Sequence, residues 1–150
     1  MTTAILNFNF PNWLFYYDWC GGTCKIFLYN TILGYLCSRN IKCMTMAANG
    51  IAACLLNEGQ TAYSSLAISS LLYDASNYNI TTHSILGQSL HEVHFIVLDK
   101  ACVGHCFLIE AIDRYLRDIR NIDSPYRGVV VLYSGDFCQI LSVVVRGGRK

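Results

Sequence analysis

Charge, proline and long apolar runs are all scarce in this sequence, and each scarcity excludes something. Charged residues make up only 14% of the 150 residues, against about a quarter in ordinary globular proteins. Eleven Lys and Arg face ten Asp and Glu, a formal net charge of +1. No strong global field therefore draws in nucleic acid or anionic lipid, and any such contact must come from a local site. The longest apolar stretches, such as Trp13–Tyr17 and Gly128–Tyr133, are strand length. A transmembrane helix needs about 18 consecutive apolar residues. The first residues, MTTAILNFNFPNWLF, carry neither a basic segment nor an A-x-A-like cleavage site, so no secretory signal is expected. The expectation is an intracellular protein with no membrane partner. With two prolines in the whole chain, a proline-rich linker is excluded as well.

Apolar side chains are abundant instead. The hydrophobic set reaches 53%, which excludes intrinsic disorder. One domain of this length buries roughly 68–70% of its unfolded surface. Eight cysteines are many. In a reducing compartment they read as buried thiols, metal ligands or reactive thiols before disulfides. Cys20-x-x-x-Cys24 and Cys102-x-x-His105-Cys106 hold enough ligands for a four-coordinate zinc site. A zinc-stabilised interaction domain is thus one alternative.

The chain alternates between two periodicities. Trp13–Tyr17, Lys42–Ala48, Val93–Leu98 and Gly128–Ser134 read as strands, being short apolar runs bounded by turn residues. Phe27 to Cys37 reads as a helix with Phe27, Leu28, Ile32 and Leu36 on one face, and Gly50–Leu56 as a shorter one. The clearest helix sets Leu108, Ala111, Ile112, Tyr115, Leu116 and Ile119 against Glu110, Asp113, Arg114, Arg117 and Asp118. Its Arg114/Arg117/Arg120 row reads as a solvated face before a DNA contact. Ser64–Ser89 is rich in Ser, Asn and Thr and reads as a long connection. Alternating strands and helices predict an α/β domain with a mostly parallel sheet. In such sheets ligands bind at the carboxyl ends of the strands, where Asp18, Asp99 and Asp136 fall.

The turn after the first strand reads Asp18-Trp-Cys-Gly-Gly-Thr-Cys-Lys-Ile26. A Gly-rich turn that opens a helix and carries a lysine is the arrangement that cradles phosphate, through backbone N–H groups and the helix N-terminus. Measured against G-x-x-x-x-G-K-[ST], the turn has Trp19 at the first glycine, Cys24 at the second and Ile26 at the magnesium-binding hydroxyl. Lys25 alone is kept, so the pattern by itself favours an ordinary Gly-Gly turn over a nucleotide loop.

Five blocks in order carry more weight: GGTCKIFLYNTILGYL, GIAACLLNEGQTAYS, FIVLDKA, EAIDRYLRDIR and GDFCQILSVVVRGGR. Together they resemble the Pif-type DNA helicases, above all the helicase portion of Helitron-like transposable elements. There the blocks run close to GPGGTGKTFLYNTIL, SGIAALLLxGGRTAHS, IIWDEA, EALDRTLRDI and GGDFRQILPVVPRGSR. The resemblance implies a three-layer P-loop NTPase (RecA-like) fold spanning residues 1–150. It further implies the first domain of a two-domain, 5′-to-3′, ATP-driven helicase, with the second RecA-like domain expected to be absent from this chain.

Carried onto this sequence, Gly21, Gly22, Thr23 and Lys25 form the nucleotide-binding loop and Asp99 holds Mg²⁺. Gln139 senses the γ-phosphate of ATP, while Thr61 and Ser64 lie in a segment that faces single-stranded DNA. Lys100 stands where the family has its catalytic glutamate, Cys138 replaces an arginine, Tyr63 a histidine and Gln60 an arginine. Losing a general base typically costs roughly 10²–10⁴-fold in rate. Ile26 removes an oxygen ligand from the metal. A unit charge 4 Å away at an effective dielectric near 20 is worth roughly 4 kcal/mol, so Lys100 also disfavours the metal. Cys24 costs roughly 1–2 kcal/mol if its φ is positive.

The resemblance further implies a nuclear protein of DNA repair, recombination and telomere maintenance. The replacements Ile26, Asn49, Tyr63, Lys100, Cys138 and Ser142 can each arise from the family residue by one C-to-T or G-to-A change. They predict a decayed, transposon-derived copy with impaired catalysis and at most weak nucleotide and single-strand binding.

Overall fold

The computed structural model describes residues 14–18, 20, 24–68, 84–121 and 125–139. Five strands form one sheet in which every pairing is parallel. They are β1 (Leu14–Asp18), β2 (Cys43–Ala47), β3 (Gln60–Thr61), β4 (Phe95–Asp99) and β5 (Val130–Gly135), ordered β1-β5-β4-β2-β3. The helices are α1 (Lys25–Ser38), α2 (Gly50–Leu55), α3 (Ala62–Ser65), α4 (Ile85–Glu92) and α5 (Cys106–Arg120). This is the expected α/β architecture.

Both central strands are buried at every residue, as a parallel sheet covered on two faces requires. Side chains alternate across a strand, and the core divides accordingly. Phe95, Val97, Val130 and Leu132 pack under Tyr29, Leu33 and Leu36 of α1 and Ala52 and Ala53 of α2. Ile96, Leu98, Val131 and Tyr133 pack on the other face against Leu108, Ile112, Tyr115 and Leu116 of α5. Three layers result.

The same alternation decides where the polar strand ends point. Asp99 continues the Phe95/Val97 series and Ser134 the Val130/Leu132 series, so both turn toward α1. The register Leu98↔Tyr133 makes them cross-strand neighbours one step on.

Local chemistry fixes the helix starts. Asn49 accepts the Ala52 N–H at 2.9 Å and caps α2. The His105 ring nitrogen Nδ1 accepts the Phe107 N–H at 3.3 Å and caps α5. In α5 all six expected inward residues are buried, and Arg117 pairs with Asp113 at 2.9 Å. Arg120 donates to the Leu90 carbonyl at 3.3 Å and to that of Val93, tying the end of α5 to the α4–β4 junction.

Two expectations need correction. In α1 the inward face is Tyr29, Leu33 and Leu36, while Phe27 is 75% exposed. The helix is apolar all round, so its periodicity does not choose a face; docking on the sheet does. Ser64–Ser89 is not one connection. Its start belongs to α3 and its end to α4, with Ser84 capping α4 by accepting the Gly87 N–H at 3.0 Å. Residues 69–83 lie outside the described residues.

Candidate nucleotide site

The carboxyl ends of β1, β4 and β5 meet where α1 begins. Lys25, the first residue of α1, reaches across the sheet edge and donates from Nζ to the Gly135 carbonyl at 3.4 Å. Asp99 is 4% exposed and its Oδ1 accepts the Ser134 hydroxyl at 2.8 Å. Asp18 accepts the Phe137 N–H at 3.4 Å. Asp136, 5% exposed, accepts the Cys138 N–H at 3.0 Å through its carboxylate and the Gln139 N–H at 3.1 Å through its carbonyl. The clustering of Asp18, Asp99 and Asp136 expected from strand ends is therefore present, with one lysine among them. Gln139 closes the exposed turn Phe137–Gln139 on the same edge. Gly21, Gly22 and Thr23 lie outside the described residues.

Backbone conformation marks two positions expected to differ from the family pattern. Cys24 precedes α1 in the left-handed region, φ 55° and ψ 27°, and no side chain caps the helix there. The condition for its expected strain is met. Lys100 is also left-handed, φ 55° and ψ 36°, immediately after buried Asp99. Ile26 packs as a partly buried apolar residue against the α1-side core, so the first turn of α1 has no hydroxyl at that position.

Three residues that sequence reasoning missed complete the wall. Tyr29 is fully buried, and among the described residues its hydroxyl has no hydrogen-bond partner. Burial, reinforced by Asp99, pushes that phenol well above the usual tyrosine range, an approach to Ser134 offsetting part of the rise. Ser134 itself was visible only as a polar residue ending an apolar strand. Gly135 is required by packing: a Cβ there would stand 2.5 Å from Cys102 Sγ and 2.7 Å from the Tyr16 hydroxyl. Tyr16 stacks on Phe137 at 5.3 Å, and burial, then Cys102 and Asp18, push its phenol up to about 12.

Other expected residues have local partners. Thr61 caps α3, accepting the Ser64 N–H at 3.2 Å and donating its hydroxyl to Ser64 Oγ at 2.9 Å. Cys102 donates to the Asp136 carbonyl at 3.6 Å. Among the described residues no group of three or more His, Cys, Asp or Glu is placed to hold a metal ion. Among them too, no helix is long and apolar enough to cross a membrane.

Known proteins share this fold. The PIF1-like helicase family model matches residues 3–150. The ATP-dependent DNA helicase Pif1 of Psychrobacter sp. (strain PRwf-1) is 29% identical over 128 residues, 84% of this chain but 19% of that protein. Pif1 helicase from Bacteroides, solved in complex with ADP-AlF3 and single-stranded DNA, is 26% identical with a TM-score of 0.73. That match covers 99% of this chain and 33% of the other. Pif1 helicase from Candida albicans has the same fold, with a TM-score of 0.76 at 22% identity, over 87% of this chain and 30% of that one. The chain spans about a fifth of its curated relative's length. With the matched model covering all but its first two residues, the chain belongs to the PIF1-like helicase family.

Proposed function

We propose that residues 1–150 form the ATP-binding, first RecA-like domain of a DNA helicase, one that holds nucleotide and hydrolyses it poorly. The observation that carries this reading is the convergence of Lys25, at the start of α1, with buried Asp99 on one sheet edge. Lys25 meets the outer phosphates of ATP, and the amides opening α1 together with Gly21, Gly22 and Thr23 meet the inner ones. Mg²⁺ usually keeps several waters and needs only one or two carboxylates beside the phosphates. Asp99, with Ser134 fixing one oxygen, fits that donor set, although Ile26 supplies no hydroxyl.

Hydrolysis is another matter. Lys100 offers no acceptor for the proton of an attacking water, and it puts a cation beside the metal position. Gln139 remains to sense the γ-phosphate. Thr61 and Ser64, on the β3–α3 junction, are the residues we assign to single-stranded DNA. Thr61 donates its hydroxyl to Ser64 Oγ, so Thr61 donates to a phosphate only by giving up that bond. Two relatives support the ligands: Bacteroides Pif1 structures contain ADP-AlF4 in one case and single-stranded DNA in another. A second RecA-like domain, nuclear location and roles in repair, recombination and telomere maintenance extend the family reading, as does descent from a transposon copy.

A fluorescent ATP analogue displaced by ADP, and released in Lys25→Ala, is the expected result. Phosphate release with single-stranded DNA should stay at background. Turnover that disappears in Lys25→Ala would refute impaired hydrolysis and make the chain a working ATPase. Failure to bind any nucleotide would leave a non-enzymatic relic.

A further inference from the structure

At the end of the sheet remote from the nucleotide site, Cys37 and Cys43 stand together. Cys37 is the penultimate residue of α1 and is exposed; Cys43 opens β2 and is partly buried. The turn between them is tightly bonded. Arg39 and Ile41 donate to the Leu36 carbonyl at 3.0 Å each, and Asn40, with φ 57°, donates to that of Cys37 at 2.9 Å. Cys43 Sγ donates to the Ile41 carbonyl at 3.4 Å, on the same cavity wall as Cys37. Both cysteines line one cavity of about 420 Å³, with Lys42, Ser89 and Glu92 among its other walls. A reagent entering that cavity meets both residues.

We propose that Cys37 and Cys43 form an oxidisable dithiol that takes hydrogen peroxide as its substrate and closes to an intramolecular disulfide. The exposed Cys37 thiolate attacks the peroxide, breaking the O–O bond, releasing water after protonation and leaving a sulfenic acid. Cys43 sulfur then attacks that sulfur, forming the S–S bond and expelling hydroxide, which leaves as water with the Cys43 proton. Two thiols are oxidised by two electrons and one peroxide is reduced to two waters. Burial, then Cys37, push the Cys43 thiol up to about 12. Cys43 is therefore the poorer first nucleophile and takes the resolving role. The closed bond ties the end of α1 to the start of β2. It requires no nucleotide site and stands apart from the helicase reading.

The test is hydrogen peroxide treatment of the whole chain, followed by intact mass and a non-reducing tryptic map. Arg39 and Lys42 lie between the two cysteines, so the bond joins two separate peptides. The expected result is loss of two hydrogens and a linked Cys37–Cys43 peptide pair, reversed by dithiothreitol. In Cys43→Ser the link vanishes and the Cys37 sulfinic or sulfonic product rises several-fold. A cross-link mapping to Cys20 and Cys138 with Cys37 and Cys43 free would overturn the proposal. So would oxygen accumulating on Cys37 in the unaltered chain while Cys43 stays a thiol.

Discussion

Cys24→Gly is expected to stabilise the protein, although glycine usually does the reverse. A non-glycine residue in the left-handed region costs roughly 1–2 kcal/mol, and Cys24 sits there at φ 55°. Glycine gives back roughly 0.5–1 kcal/mol through its greater freedom in the unfolded chain. Nothing else is lost, since the side chain is exposed and caps no helix amide. The net gain is about 0–1.5 kcal/mol, centred near 0.75, which at this chain length raises Tm by up to about 6 °C. Two controls isolate the cause. Cys24→Ala keeps the strain and should leave Tm nearly unchanged. Cys54→Gly replaces an exposed cysteine inside α2 and should lower stability by up to about 1 kcal/mol. Thermal unfolding followed by circular dichroism reads all three. If Cys24→Gly destabilises as Cys54→Gly does, the left-handed strain is not there and the argument fails.

Tyr29→Phe should raise stability by about 1 kcal/mol, because it deletes a buried hydroxyl that has no partner among the described residues; a lower urea midpoint would show that the hydroxyl does useful bonding. Arg120→Ala should cost roughly 2–3 kcal/mol, since a charged donor is removed from the carbonyls of Leu90 and Val93. An unchanged midpoint with weaker single-strand binding would instead return that arginine to a DNA role. Alkali should unfold the protein progressively. Cys43 and Tyr16 are each pushed up to about 12, and Tyr29 and Tyr133 are raised as well, burial leading in every case. Unfolded thiols and phenols release protons from about pH 9 to 10 upward, whereas the folded state keeps them. Stability is therefore full below pH 9 and falls as pH climbs toward 12. A urea midpoint constant from pH 8 to pH 11 would contradict this.

Sequence reasoning found what a single segment can carry and missed what two segments make between them. The strand at 130–135 is legible because both faces are buried and its apolar run is unbroken. The inward face of α5 is legible because only one face is apolar. By contrast α4 buries just Gly87 and Leu90, too few for a helical period to show among serines and glutamines. β3 is two residues long, shorter than any alternation. At the site, Asp18, Asp99 and Asp136 were visible because a parallel sheet brings strand ends to one edge. Ser134, Tyr29 and Gly135 were not, because their roles depend on register and docking: a hydroxyl beside Asp99, a ring above it, a missing Cβ beside Cys102. Arg120 was read as part of a solvated row, and only the position of α4 turns it into a structural anchor.

On the proposed reading, that division explains how a family fold persists over a changed site. The residues shaping the core are interior to β4, β5 and α5, where shortening one side chain costs roughly 2–5 kcal/mol. Cys24, Cys138 and Gln139 are exposed at the sheet edge and Lys100 is only half-buried. Surface exchanges of that kind usually move stability by less than about 0.5 kcal/mol, left-handed positions aside. Replacing a helicase's catalytic residues thus leaves the folding free energy almost untouched while removing orders of magnitude in rate. Likeness of fold and of core sequence therefore measures descent, and activity turns on a few edge residues that contribute little to either. Lys100→Glu is the substitution that separates the two: it should leave Tm within about 2 °C of the parent. On the proposed reading it restores a proton acceptor beside Asp99 and removes the cation. DNA-stimulated phosphate release should then rise above background, and absence of any rise alongside intact nucleotide binding would place the defect at Ile26 or Cys24 instead.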